Sequence, residues 1–223
     1  PSNYILPSRM EKYADLNHEG KNSLTQVGRE QGIRRLMSIN LLKRLESSVH
    51  SFRLTLKRIQ DLICTTLDTI AHYDPNLTLE LNDLTSTVDF DSDDQEMDLF
   101  TVGKKVKIAL EDMDYVTWQH DLEEDFNTLY VLVNMVADIT PEHDSKLQML
   151  LSTIAEKIDH PINPGNRKVI IFTAFSDTAE YLYDHVSAFA NDKYGLHTAL
   201  VTGSVSGRTT VPKFKADLNN VLT

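Results

Sequence analysis

The sequence predicts a mostly helical region over about residues 1–160, followed by an incomplete parallel α/β lobe over about residues 161–223. Three observations predict this order. Apolar residues recur at steps of three or four through much of the first region, which is typical of amphipathic helices. The turn-forming residues Pro161, Pro164 and Gly165 then mark a linker. After it comes a strand–helix–strand order, and two strands are too few for a sheet that stands alone.

The first 30 residues are polar, and Gly20, Gly28 and Gly32 predict an irregular stretch, with a short helix beginning at Pro7 or Ser8. Residues 33–73 give the strongest helix signal. Their apolar stripe consists of Leu45, Val49, Phe52, Leu56, Ile59, Ile63, Leu67 and Ile70. One continuous helix is predicted, with a break near Ser47-Ser48 as the alternative, because serine side chains compete for backbone hydrogen bonds.

Acidic residues are concentrated in the middle of the chain. Residues 76–145 carry a net charge of −15, whereas residues 1–75 carry +3 and residues 146–223 carry +1, which together give −11. Six of the ten residues 89–98 are acidic, so a solvated acidic loop is predicted over about 77–101. The net charge argues against nucleic acid as a partner, but both ends of the chain remain able to contact a phosphate backbone.

Two further helices are predicted before the linker. The first covers residues 104–138, where Trp118 and Tyr115 are expected to pack in a core rather than to stack on a base. The second covers residues 141–158, with Thr140 as its N-cap and Pro141 at its first position.

The linker is followed by a short β-branched run at residues 168–173, which predicts a buried strand. An amphipathic helix over 177–191 and a second strand over 197–201 complete a βαβ unit, and residues 211–222 form a further element.

Candidate binding residues lie at the ends of these strands, where α/β sheets bind ligands. Thr173 ends the first strand, and Thr202, Gly203 and Ser204 follow the second. Glycine permits close backbone approach, and hydroxyl and free N–H groups suit phosphate oxygens. Arg208 follows shortly after. An ordinary turn is the alternative, and the residues by themselves favour it.

A resemblance to a known family adds to this interpretation. The residues that carry it are Asp144-Ser145-Lys146-Leu147, Leu150-Leu151, Lys168 to Thr173, Asp177 to Leu182 and Thr202-Gly203-Ser204. In this order they resemble the start of the second RecA-like lobe of superfamily-two helicases, in particular the Swi/Snf-like bacterial branch. Residues 40–48 are similar to the helical segment that joins the two lobes. The resemblance covers about 33–70 and 144–208, and residues 76–140 would be a helical insertion.

The resemblance implies a fragment of an ATP-dependent DNA helicase or translocase, which uses ATP and Mg²⁺ and binds DNA or RNA. Thr173 and Thr202 to Ser204 would face the nucleic-acid backbone, with Arg208 and Lys213 beside the same path. No catalytic residue is expected in this chain. The sequence contains no Gly-x-x-x-x-Gly-Lys-Ser/Thr phosphate loop, no acidic box and no closing arginine motif, so the chain alone is expected to be inactive. Its ends at Pro1 and Thr223 fit a piece of a longer protein.

Two other classes of function remain open. One is a helical protein-interaction module that docks a partner through its acidic middle and has no motor activity. The other is a nucleotide-using transferase with Thr202-Gly203-Ser204 as its phosphate turn.

No metal site is predicted, because the eight histidines show no zinc-ligand spacing. Cys64 is the single cysteine and is expected to be a buried thiol. One cysteine suits a reducing compartment, and a cytoplasmic location is expected.

Overall fold

The computed structural model describes residues 2–17, 26–73, 108–203 and 207–222, and the predicted mostly helical character is confirmed. The helices are α1 (Gln26–Ser47), α2 (Val49–Ala71), α3 (Tyr115–Ala137), α4 (Ser145–Asp159), α5 (Ser176–Tyr194) and α6 (Leu218–Leu222). The 3-10 helices are Ser2–Tyr4, Pro7–Asn17 and Leu110–Asp112, and the strands are β1 (Ala199–Leu200) and β2 (Arg208–Thr209). The acidic loop predicted over 77–101 and the candidate residue Ser204 lie outside the described residues.

The chain forms two compact units, and each unit is built from two separated stretches of sequence. The first contains Pro1–Leu42 and Leu54–Met135, and the second contains Lys43–Arg53 and Val136–Thr223. The second unit therefore combines a short piece around the end of α1 and the start of α2 with the whole of the C-terminal part.

The core of the first unit is a cluster of apolar and aromatic side chains. Its buried members are Tyr13, Ile70, Ile108, Leu110, Met113 and Trp118. Beside it, the buried carboxylate of Asp112 accepts hydrogen bonds from Lys12 Nζ and Tyr13 Oη, each at 2.6 Å. These bonds hold the 3-10 helix Pro7–Asn17 against residues 108–113. The burial of Trp118 agrees with its expected role in packing.

The chain becomes helical earlier than its glycines indicate. Helix α1 begins at Gln26 and includes both Gly28 and Gly32, where an irregular stretch was predicted. Glycine inside a helix costs only about 0.5–1 kcal/mol relative to alanine, which is too little to interrupt a helix of 22 residues. The short helix predicted to begin at Pro7 or Ser8 is present as a 3-10 helix that begins at Pro7.

Helices α1 and α2 meet at Ser48, so the alternative of a break near Ser47-Ser48 is the correct one. The backbone hydrogen bonds continue across the junction, since Ser48 N donates to Arg44 O at 2.9 Å and Phe52 N donates to Ser48 O at 3.1 Å. The Ser48 hydroxyl also accepts a hydrogen bond from Ser51 N at 3.0 Å. That bond is typical of a helix N-cap, and it makes Ser48 the start of a new helix.

Two aspartates, rather than the predicted residues, begin α3 and α4. Asp114 accepts a hydrogen bond from Thr117 N at 3.1 Å, so α3 begins at Tyr115 and not near residue 104. Residues 104–107 of that predicted helix lie outside the described residues. Asp144 accepts hydrogen bonds from Lys146 N and Leu147 N and caps α4, where Thr140 was predicted to do so. A carboxylate near the positive end of a helix is favoured over a hydroxyl.

The strands differ from the predicted parallel arrangement. Among the described residues the sheet consists of β1 and β2, which pair antiparallel, with Ala199 opposite Thr209 and Leu200 opposite Arg208. The predicted strand over 168–173 has no strand partner in this part of the chain. Its apolar side chains are exposed instead: Val169 by 41%, Ile170 by 64%, Ile171 by 39% and Phe172 by 90%. A β-branched run needs neighbouring strands to become part of a sheet, and it finds none among the described residues.

Candidate functional site

A fully buried arginine lies in the second unit. The side chain of Arg44 is fully buried, and its Nη1 donates to Asp177 Oδ2 at 2.8 Å and to Ser51 Oγ at 3.0 Å. Its guanidinium also lies over the ring of Phe175, 4.7 Å from the ring centre. A buried charge is costly unless it is paired. These contacts therefore bind the junction of α1 and α2, residues Lys43–Arg53, to the start of α5. We call this junction the α1–α2 corner.

Hydroxyl groups surround this ion pair. Thr178 Oγ1 is within hydrogen-bond distance of Ser47 Oγ at 2.9 Å and of Ser48 Oγ at 3.0 Å. Thr178 and Ser48 are both buried. Each hydroxyl can donate one hydrogen bond and accept others, so the three hydroxyls can bond to one another. The corner is therefore a polar interface that is closely packed.

Asp144 connects α4 to α5 as well as capping α4. Tyr181 donates a hydrogen bond from its hydroxyl to Asp144 Oδ2 at 3.0 Å, and both residues are buried. Burial, and after it the contact with the Asp144 carboxylate, raises the pKa of Tyr181 well above its usual value. Tyr181 is thus a hydrogen-bond donor at all physiological pH values.

A cavity of about 170 Å³ lies beside Tyr181. It is lined by residues of the α1–α2 corner, of the 137–144 loop and of α5: Val49, His50, Arg53, Ala137, Ile139, Thr140, Pro141, Asp144 and Tyr181. The His50 ring stacks on the Tyr181 ring, with 4.7 Å between ring centres and an angle of 9° between planes. Burial, and secondly the nearby Arg53 charge, lowers the pKa of His50 below its usual value. His50 is therefore neutral at pH 7.

The structure brings only some of the predicted nucleic-acid-binding residues together. Thr202 and Gly203 follow β1, and Arg208 begins β2, so these three lie at the β1–β2 connection. Thr173 contacts the hydroxyl groups of the α1–α2 corner: its Oγ1 lies 3.4 Å from Ser47 Oγ and accepts a hydrogen bond from Phe175 N at 3.4 Å.

Arg208 is exposed but has partners. Its Nη2 lies 2.9 Å from Asp184 Oδ1, and its guanidinium lies 4.7 Å from the centre of the Tyr183 ring. Lys213 is exposed and lies in the left-handed backbone region at φ 61°. Next to Arg208, Gly207 allows a close approach, since a Cβ there would collide with the backbone carbonyl of Ala216. Arg208 thus lies at the surface with one ionic contact and one ring contact.

The Arg44 site was not predicted, although the sequence carries a signal for it. Beside the apolar stripe runs a second stripe of polar residues at helical spacing, and all its members are buried: Asn40, Arg44, Ser48, Ser51 and Thr55. Steps of three and four place these residues on one helix face. Small hydroxyl residues around a single arginine on such a face indicate a buried polar contact rather than a solvated face.

The remaining candidates have simpler outcomes. Cys64 is exposed, so the expected buried thiol is wrong. It is one residue beyond the buried Ile63, which turns it about 100° away from the apolar stripe.

Within the described ranges, no group of three or more His, Cys, Asp or Glu side chains could hold a metal ion. None of the helices found there has the length and apolar character needed to cross a membrane.

Comparisons of the chain with protein-family models, with curated proteins and with solved structures find no match.

Proposed function

We propose that this chain is part of an ATP-dependent DNA helicase or translocase of the Swi/Snf-like branch of superfamily two. Residues 161–223 would contribute the first half of its second RecA-like lobe. The residues before them would contribute the helical segment between the lobes and a helical insertion. ATP and Mg²⁺ would be bound by the full-length protein, and no catalytic residue is assigned to this chain.

One observation carries the proposal. Part of the first stretch that resembles the family, residues 43–53, falls within the same compact unit as the second stretch, residues 144–208, although the two are far apart in sequence. The ion pair between Arg44 and Asp177 joins residues 133 positions apart. In the proposed motor, this ion pair would attach the connecting helix to the start of a helix of the second lobe.

The exposed segment 168–172 supports the same proposal. A run of Val, Ile, Ile and Phe with 39–90% exposure is unusual on the surface of a single domain. In a complete RecA-like lobe this segment would be an inner strand, with further strands beside it and helices on both faces. The proposal thus gives these side chains neighbours, and it requires 168–173 and 197–201 to become parallel strands in the complete lobe.

The nucleic-acid path would run along the ends of these strands. Thr173, Thr202, Gly203 and Ser204 would contact phosphate oxygens, with Arg208 and Lys213 beside them. Arg208 is the best single probe of this surface, because its guanidinium is exposed and held by Asp184 and Tyr183. A fixed guanidinium binds phosphate well.

The test is the salt dependence of DNA binding by the 223-residue chain. We expect binding to a fluorescein-labelled 20-base-pair duplex to weaken linearly on a log–log plot of affinity against salt, with Kd on the order of 10⁻⁴ M or tighter near physiological salt. Arg208→Ala is expected to weaken binding and to reduce the slope by about 1. Fluorescence anisotropy over a series of NaCl concentrations measures both quantities.

Arg167→Ala is the matched control. It removes the same charge from an exposed position at the opposite end of the 168–173 segment, so it should change the affinity much less. Equal effects of the two variants would mean that only net charge matters and would remove the support for the proposed path. Binding to a basic protein, with none to DNA at low salt, would favour the protein-interaction module instead.

A further inference from the structure

We propose that the cavity beside His50 and Tyr181 is a binding site for a small, single-ring carboxylate. The cavity lies within the second unit, and none of its lining residues belongs to the predicted nucleic-acid path. Its volume of about 170 Å³ is close to that of an engineered protein cavity of about 150 Å³ that holds benzene. It is therefore large enough for one six-membered ring, but too small for a nucleotide.

The cation for such a ligand is Arg53. Its side chain is half-buried on the cavity wall, and no described residue forms a hydrogen bond or an ion pair with its guanidinium. A half-buried guanidinium without a partner favours a carboxylate, which it can bind through two parallel hydrogen bonds. The geometry therefore points to an anionic group at this end of the ligand.

The other walls fit a flat apolar body. Val49, Ala137, Ile139 and Pro141 supply apolar surface. The stacked rings of His50 and Tyr181 lie nearly parallel, at 9°, and supply an aromatic surface. Aromatic rings bind other rings through edge or offset contacts of this kind. An aliphatic acid would fill the cavity less well.

The one carboxylate in the wall does not exclude an anion. Asp144 accepts hydrogen bonds from Lys146 N, Leu147 N and Tyr181 Oη, so its oxygens already have donors. The Thr140 hydroxyl is not counted as a ligand group, because it lies 3.3 Å from His143 Nδ1. The site thus combines one available cation with a flat apolar wall.

His50 provides a readout that does not depend on activity. The charged groups that act on it are Arg53, Asp177, His185 and Asp184, and burial has the largest effect on its pKa. A carboxylate bound to Arg53 adds a negative charge nearby and favours protonated His50. Binding should therefore raise the pKa of His50, whereas a merely apolar ligand should lower it further by excluding water.

The experiment uses benzoate as the probe, titrated into the 223-residue chain and followed through the His50 ring signals by NMR. We expect saturable binding with a Kd of about 1 mM and an increase in the pKa of His50. Arg53→Gln should weaken binding about tenfold. Ala137→Leu, which keeps Arg53 but fills part of the cavity, should also abolish or strongly weaken binding.

Lys57→Gln is the matched control, since it removes a charge from an exposed position one turn along α2, and it should bind benzoate as the native chain does. Circular dichroism verifies that each variant is folded. The proposal is overturned if benzoate leaves His50 unperturbed, or if folded Arg53→Gln binds as well as the native chain. If benzyl alcohol bound as tightly as benzoate, the site would not require a negative charge. If acetate bound as tightly, the site would not require a ring. Either result would contradict the proposal.

Discussion

Two short segments of the second unit reverse the usual relation between polarity and burial. At the α1–α2 corner the side chains of Arg44, Ser48 and Ser51 are polar and buried, whereas over residues 168–172 the side chains are apolar and exposed. The corner has its partners within the unit, because Asp177 and Thr178 supply the charge and the hydroxyl that it needs. Among the residues that the structure describes, none covers the 168–172 segment in this way.

This difference separates polar contacts that are made within the second unit from an apolar segment that the described residues leave exposed. Buried polar groups are costly unless they are paired, and the hydrogen bonds of Arg44 Nη1, Ser48 and Ser51 described above lie within the second unit. Exposed apolar residues carry no such pairing requirement and gain stability from whatever covers them. Mutations in the corner should therefore act on stability, and mutations in the segment should act on association.

Arg44→Ala tests the corner and should have the largest effect. Removal of one member of a buried ion pair leaves Asp177 without its charge partner and is expected to lower the free energy of unfolding by about 3 kcal/mol. Urea denaturation followed by circular dichroism, together with hydrogen exchange of the α5 amides, measures this loss. Arg167→Ala, an exposed arginine, should change stability by less than about 0.5 kcal/mol.

The double variant Arg44→Met, Asp177→Leu sharpens this prediction. If the single substitution is costly because it leaves an unpaired charge, then replacement of both partners by apolar residues should restore most of the lost stability. A double variant as unstable as Arg44→Ala would show that packing of the arginine, and not its charge, holds the corner.

His50 should make the corner sensitive to mild acid, with a smaller effect. Its pKa is lowered in the folded chain, mainly by burial, so the unfolded chain binds a proton first as pH falls. The stability contributed by neutral His50 is then present above about pH 6.5 and is lost as pH falls through the window below it. From pH 7.5 to 5.5 we expect Tm to fall by up to about 3 °C more in the native chain than in His50→Gln. Equal pH profiles would contradict the prediction.

Phe172→Ser should have the smallest effect on stability, within about 0.5 kcal/mol, because the side chain is 90% exposed. It should instead reduce self-association, measured by light scattering at increasing protein concentration, since exposed apolar patches promote contact between molecules. The matched variant Phe175→Ser removes the half-buried ring under Arg44 and should destabilise the chain. If Phe172→Ser is the more destabilising of the two, the comparison fails.

Local sequence patterns predicted where helices occur better than they predicted the residues at which the helices begin and end. The apolar stripe predicted α2, but the main prediction was one continuous helix, and the serines indicated the junction at Ser48 only as its alternative. The cap of α4 was misplaced because Thr140-Pro141 and Asp144 are both good starting signals, and the sequence does not show which one has free N–H groups after it. The Asp144 carboxylate prevails with two such groups and with Tyr181 as a third donor.

The features that were predicted wrongly or not at all depend on contacts between residues far apart in sequence. The run at 168–173 has the residues of a strand, but a strand also needs a partner, and periodicity says nothing about which partner is present. The pairing of Arg44 with Asp177 spans 133 positions and leaves only an indirect trace, the buried polar stripe. Candidate residues such as Arg208 could be named from the sequence, whereas its contact with Asp184 required the structure.

The same pairing also sets an order of events during synthesis. A ribosome adds about 5–20 residues per second, so Asp177 follows Arg44 by roughly 7–27 s. Throughout that delay the arginine of the nascent helix stays hydrated, and its desolvation must wait for the C-terminal stretch to emerge. Completion of the corner is therefore a late step in the folding of the chain.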